Sequence, residues 1–125
     1  MEGSPIAPFA CRFAAMIELH GVTLFKAGVT FLKAFMAEAR AEDLRRYDLQ
    51  RLKAASFCAE PTSPSVQAFA QLHITPQYVN SYWATEHGGM VMSWPYGCRD
   101  LALRPDARAT PYPWIFAEVR QSAPD

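Results

Sequence analysis

Gln77-Tyr78-Val79-Asn80-Ser81-Tyr82-Trp83-Ala84-Thr85-Glu86-His87-Gly88-Gly89 is the stretch on which the reading of this chain turns. Its first half, Gln77 to Tyr82, reads as a buried strand. Its second half, Trp83 to Gly89, places the hydroxyl of Thr85 and the carboxylate of Glu86 just ahead of a flexible glycine pair. In an open parallel sheet, ligands bind in the loops at the carboxyl ends of strands. A hydroxyl beside a carboxylate suits a phosphate chain and its Mg²⁺, an ion that prefers oxygen ligands and bridges phosphates to one or two carboxylates. The glycine pair itself is a weak signal. Neither G-x-G-x-x-G nor G-x-x-x-x-G-K-[ST] occurs in the chain.

Upstream of that stretch, helical and extended patterns alternate. Phe9, Phe13, Met16 and Ile17 fall on one face at spacings of three and four, predicting a helix over residues 8–19. Val22-Thr23-Leu24-Phe25 is β-branched and aromatic and reads as a short strand, ended by Ala27-Gly28. Val29, Leu32, Phe35, Met36 and Ala39 form the apolar stripe of a second helix over about 29–41, with Lys33, Glu38 and Arg40 outside it. A polar link, Glu42 to Gln50, precedes a second strand at Leu52 to Cys58. Ser63-Pro64 signals a helix start, because Ser caps the amides and Pro suits the first helical position. Val66, Phe69, Ala70 and His73 line that third helix, and Pro76 ends it.

Strand, helix, strand, helix, strand in succession predicts an α/β fold: a partial parallel sheet with flanking helices and right-handed crossovers. Three loops then converge on one sheet edge, Lys26-Ala27-Gly28, Ala59-Glu60-Pro61 and Trp83 to Gly89. Met90 to Trp94 reads as a further strand. Residues 95–125 form a proline-rich, loop-rich tail of the same domain, with a last strand expected at Trp114 to Val119. Phe9, Phe13, Phe35, Met36 and Phe69 are expected in the core.

At 125 residues there is room for one domain. Twelve basic residues balance twelve acidic ones, so net charge carries no nucleic-acid footprint. Cys11, Cys58 and Cys98 are odd in number and match no zinc spacing, which favours reduced thiols and a cytoplasmic protein. No basic region followed by a clean apolar run opens the chain. No stretch approaches the roughly 18 apolar residues of a membrane span.

Four segments resemble the adenylate-forming superfamily, specifically acetyl-CoA synthetase-like, AMP-forming acyl-CoA synthetases. Glu2-Gly3-Ser4-Pro5 through Pro8 is similar to the E-G-x-P segment before a helix. His20 to Phe25 resembles the H-x-V-x-x-x-Y strand, with Lys26 at the Tyr position. Ala59-Glu60-Pro61 with Pro64 resembles the G-E-P-x-x-P adenine loop. Tyr82 to Gly89 resembles W-W-Q-T-E-T-G-G. The spelling Y-W-A-T-E-H-G-G, followed by a proline-rich run, is most similar to the synthetase part of propionyl-CoA synthases. Ala59 departs from the family's glycine, Ala84 from its glutamine, and Asn80 or Ser81 from a common aspartate.

The resemblance implies a piece of the large N-terminal adenylation domain of an acid-thiol ligase that uses ATP, Mg²⁺ and coenzyme A. Such an enzyme adenylates a short carboxylic acid (acetate, propionate or 3-hydroxypropionate) and passes the acyl group to coenzyme A. It implies that Ala59, Glu60 and Pro61 flank the adenine, with Ser81 and Tyr82 beside the nucleotide. Thr85 would bind the phosphates and Glu86 the Mg²⁺. Trp83 and Cys58 would line the acyl pocket. The upstream Ser/Thr/Gly-rich phosphate loop and the downstream catalytic Lys are not in the sequence. The expected partner is therefore the remainder of the synthetase, and the fragment alone is expected to be inactive. The alternative is a truncated, non-catalytic remnant or a weak nucleotide-binding module.

Overall fold

The predicted alternation is present in a computed structural model, which describes residues 4, 6–38, 41–58, 60–94 and 109–120. In chain order the elements are α1 (Arg12–His20), β1 (Leu24–Gly28), α2 (Val29–Glu38), α3 (Ala41–Leu44), β2 (Ala54–Cys58), α4 (Pro64–His73), β3 (Tyr78–Ala84), β4 (Gly89–Ser93) and β5 (Thr110–Pro111), with a 3₁₀ turn at Thr85–His87 between β3 and β4. The strands form one sheet in the order β1-β2-β3-β4-β5. β1, β2 and β3 run parallel, joined by crossovers that contain α2 and α4. β4 and β5 add antiparallel, so the sheet is mixed.

Local signals explain the helix ends. α1 stops at Gly21, whose φ of 57° is the left-handed region that glycine enters without a Cβ penalty. The Gly21 N–H donates to the Glu18 carbonyl at 3.2 Å and the Val22 N–H to the Ile17 carbonyl at 3.0 Å, satisfying groups the helix leaves open. α4 begins as its sequence foretells: the Ser63 hydroxyl accepts from the Val66 N–H, and Pro64 occupies the first turn.

The strand period of two assigns the faces. Phe25 pairs with Ala55 and Ala55 with Tyr78, while Ala27 pairs with Phe57. These side chains face one way, and the helices pack on them. Phe13, Ala14 and Ile17 of α1, Val29, Leu32 and Phe35 of α2, and Val66 and Ala70 of α4 join Ala55, Phe57 and Tyr78 in one core. The Phe13 ring is its hub, lying 5.6 Å from Phe25, 5.1 Å from Phe31 and 4.9 Å from Phe35. Leu24, Lys26, Ser56, Val79, Ser81 and Trp83 alternate onto the opposite face, and there Leu24 is 70% exposed.

Several boundaries differ from expectation. The first helix starts at Arg12, and Phe9, expected in the core, is 47% exposed ahead of it. Met36 and Phe69 pack against the core only partly buried. Ala27-Gly28 does not break β1; both residues pair with β2, and α2 begins directly after them. The link at 42–50 begins inside α3, whose Leu44 is buried. β2 starts at Ala54, two residues late. No strand occupies Trp114 to Val119. The chain turns at 113–116, and the pairing falls on Thr110–Pro111. Glu2, Gly3, Pro5, Ala39, Arg40, Ala59, Cys98 and the proline-rich run at 95–108 lie outside the described residues.

Candidate functional site

β1 and β2 end level with each other at the carboxyl edge, Gly28 opposite Cys58, whereas β3, with Asn80 opposite Phe57, runs on past that edge to Ala84. Segments singled out in the sequence follow β2 and close β3, but Lys26-Ala27-Gly28, expected as a third loop, is the end of β1 itself, with α2 directly after it.

The segment after β3 is the apex of a hairpin. Trp83 and Ala84, expected in the loop, are the last residues of β3 and pair with Met90 and Gly89. Thr85, Glu86 and His87 make the 3₁₀ turn, which Gly88 closes by donating to the Thr85 carbonyl at 3.0 Å. Gly88 has a φ of 68°, so glycine is suited to that closing position. Thr85 and Glu86 are both exposed on this turn. A hydroxyl can donate to a phosphate oxygen, and a carboxylate can bind a hydrated Mg²⁺. Among the described residues no cluster of three His, Cys, Asp or Glu could hold a metal by itself. Glu86 would therefore share such an ion with phosphate oxygens rather than enclose it.

After β2, Glu60 is engaged on both carboxylate oxygens. The Thr30 hydroxyl donates to Oε1 at 2.5 Å, and the Lys33 ammonium donates to Oε2 at 2.9 Å. The Thr30 hydrogen bond, followed by that of Lys33, holds the Glu60 carboxyl below its ordinary pKa. Pro61 follows, exposed. Ala59 lies outside the described residues. Lys33 reads in the sequence as an ordinary solvated charge. The available signal was its spacing from Thr30: residues three apart share a helix face, here in the first turns after a strand end.

The remaining candidates divide between the two faces. Ser81 is buried, and its hydroxyl donates to the Phe57 carbonyl at 2.8 Å, bracing β3 to β2. Tyr82 is 53% exposed with its ring 5.7 Å from His87. Trp83 is 42% exposed on the face without helices, and the Lys26 ammonium lies over its ring. Cys58, half-buried at the end of β2, alternates onto the same face as Ser81 and Trp83. On that face a groove of about 570 Å³ runs along Leu24, Lys26, Ser56, Val79 and Met90 and is closed on one side by Tyr112 and Trp114. Those last two rings stack at 4.7 Å.

A sequence profile described as AMP-binding enzyme matches residues 2–120. Among curated proteins, the acetyl-coenzyme A synthetase of Pyrobaculum aerophilum is 30% identical over 121 residues, covering 94% of this chain and 18% of its own length. That of Campylobacter jejuni is 32% identical over 121 residues, with the same coverage of both. That of Ralstonia nicotianae is 31% identical over 134 residues, covering 99% of this chain and 20% of its own length. Among solved structures, the anthranilate CoA ligase AuaEII in complex with anthranoyl-AMP superposes with a TM-score of 0.66 at 19% identity. It covers 85% of this chain and 19% of that one, a likeness of fold. The chain thus spans about a fifth of the length of the relatives it matches.

Proposed function

The chain belongs to the AMP-binding enzyme family, and on that premise we propose that it is part of an ATP-dependent, AMP-forming acyl-CoA synthetase, an acid-thiol ligase for a short carboxylic acid. The observation that carries this reading is the exposed Thr85–Glu86 pair on the hairpin apex, at the edge where the loop of Glu60 also emerges.

In the proposed reaction an acid carboxylate oxygen attacks the α-phosphorus of ATP, and the bond to pyrophosphate breaks. The thiol of coenzyme A then takes the acyl group, and AMP leaves. Such chemistry needs positioning and charge stabilisation more than covalent help from the protein. Thr85 contributes a hydrogen-bond donor for a phosphate oxygen, and Glu86 a carboxylate for Mg²⁺. The ion, when bound, neutralises phosphate charge. The loop of Ala59, Glu60 and Pro61 flanks the adenine, with Tyr82 beside the nucleotide. Ser81 contributes there by tying β3 to β2. Trp83 and Cys58 wall the acyl pocket, and the indole limits it to short acids: acetate, propionate or 3-hydroxypropionate. The Y-W-A-T-E-H-G-G spelling supports the propionyl-CoA synthase branch. The unpaired Cys11 and Cys58 support a cytoplasmic setting. No described helix is long and apolar enough to cross a membrane.

Calorimetric titration of the purified chain with ATP tests the reading. The expected result is saturable binding that requires Mg²⁺ and loses that requirement in Glu86→Gln. Equal binding with and without the metal, or none, would overturn it. Acyl-CoA formation by the chain alone is not expected, because residues 1–125 include neither the phosphate loop nor the Lys that drives adenylation in the family.

A further inference from the structure

Glu60 joins two segments of the chain that are distant in sequence. Thr30 and Lys33 stand on one face of α2, and Glu60 stands two residues beyond β2. The two bonds reach across 30 and 27 positions of sequence and tie together the crossovers that leave the adjacent strand ends Gly28 and Cys58. Turning this carboxylate toward a base would break a charge-assisted bond to Lys33 and the bond to Thr30. Among the described residues, the Glu60 and Thr62 N–H groups donate to no backbone carbonyl, so the main chain there carries no such obligation.

We infer that Thr30 and Lys33 are positioning residues of the nucleotide site: acting through Glu60, they hold the loop after β2 so that its backbone, not the Glu60 carboxylate, meets the adenine. This rests on the nucleotide reading above. The bland account is a surface ion pair, since Lys33 and Glu60 side chains are 49% and 36% exposed and such pairs contribute little to stability. The two accounts differ in what they move. An idle pair leaves the loop unchanged, whereas a brace controls loop order with little effect on global unfolding.

The test combines ¹⁵N relaxation order parameters of the Glu60 and Thr62 amides with AMP titration of the full chain. The variants are Thr30→Val, Lys33→Met, Lys33→Arg, Glu60→Ala and the Lys33→Met/Glu60→Ala pair. The order parameters of the two loop amides are expected to fall in Thr30→Val and Lys33→Met and to recover in Lys33→Arg. AMP affinity is expected to fall about two- to fivefold in Lys33→Met, the scale of one exposed pair. It should not fall further when that change is added to Glu60→Ala, because residues that act as one unit are not additive. Unchanged order parameters in Lys33→Met would show the brace idle and overturn the inference. A Lys33→Met effect of the same size with and without Glu60 would place Lys33 on the phosphates directly, which also overturns it. Brace-dependent loop order in a chain that binds no AMP would overturn the nucleotide reading while leaving the brace in place.

Discussion

The Lys26 ammonium lies 4.8 Å from the centre of the Trp83 ring. The two residues are on β1 and β3, with β2 between them. The indole proposed as a wall of the acyl pocket therefore carries a cation on one face. Contacts of this kind contribute about 0.5–1 kcal/mol at exposed sites. Lys26→Met is expected to cost no more than about 1 kcal/mol in urea unfolding and to shift the Trp83 emission. An unaltered spectrum against a Trp83→Phe control would show that the cation does not rest on that ring in solution.

Tyr78 is fully buried and stacks on Phe57 at 6.0 Å, yet its hydroxyl has no hydrogen-bond partner among the described residues. Burial, with a smaller contribution from Cys58, pushes that hydroxyl above its ordinary pKa. A buried polar group without a partner costs on the order of 1–3 kcal/mol. Tyr78→Phe keeps the ring and removes the cost, so it is expected to stabilise the chain by about 1 kcal/mol in chemical denaturation. A destabilised variant would mean that the hydroxyl has a partner in solution.

Ser81 presents the opposite case. Its buried hydroxyl serves the Phe57 carbonyl. Ser81→Ala removes the donor and leaves the acceptor, and is expected to cost about 1–2 kcal/mol. Because the bond ties β3 to β2 immediately below the candidate site, loss of ATP binding in this variant should track loss of folded protein. ATP binding lost from a fully folded variant would instead give the hydroxyl a direct role.

The depressed pKa of Glu60 has a defined pH signature. Its ordinary value is 4.5, and the folded value lies lower because Thr30 and Lys33 favour the ionised form. The stabilising contribution is therefore present above pH 4.5 and fades as the pH falls through the lower, folded value. A carboxyl carbon NMR titration is expected to place the midpoint of Glu60 below 4.5 in the native chain and to move it upward in Thr30→Val. A native midpoint at or above 4.5 would contradict the geometry around the carboxylate.

Much of the architecture was legible in advance, and the reason is local. The cap at Ser63-Pro64 and the apolar stripes of α2 and α4 are signals carried by residues within four positions of each other. They suffice for the order of elements and for three parallel strands. The boundary errors have the same origin. Ala27-Gly28 carries weak strand propensity, and only pairing with Phe57 and Cys58 makes it strand. Phe9 matches the helical period of α1 but precedes its first turn, so it contributes nothing to the core.

The sequence by itself determined the α/β alternation, the edge where the candidate loops gather, and the Thr85–Glu86 pair. Each follows from short-range periodicity, turn chemistry and residue type. Only the tertiary structure decided that the helices share one sheet face, that Thr85–His87 is the apex of a hairpin, and that Lys26 rests on Trp83. It also decided that Ser81 is buried against β2 and that Glu60 serves Thr30 and Lys33. Those contacts join residues 24 to 57 positions apart, and no local pattern specifies them. They exist because strand pairing brings β1, β2 and β3 side by side and burial of one core fixes which side chains face outward.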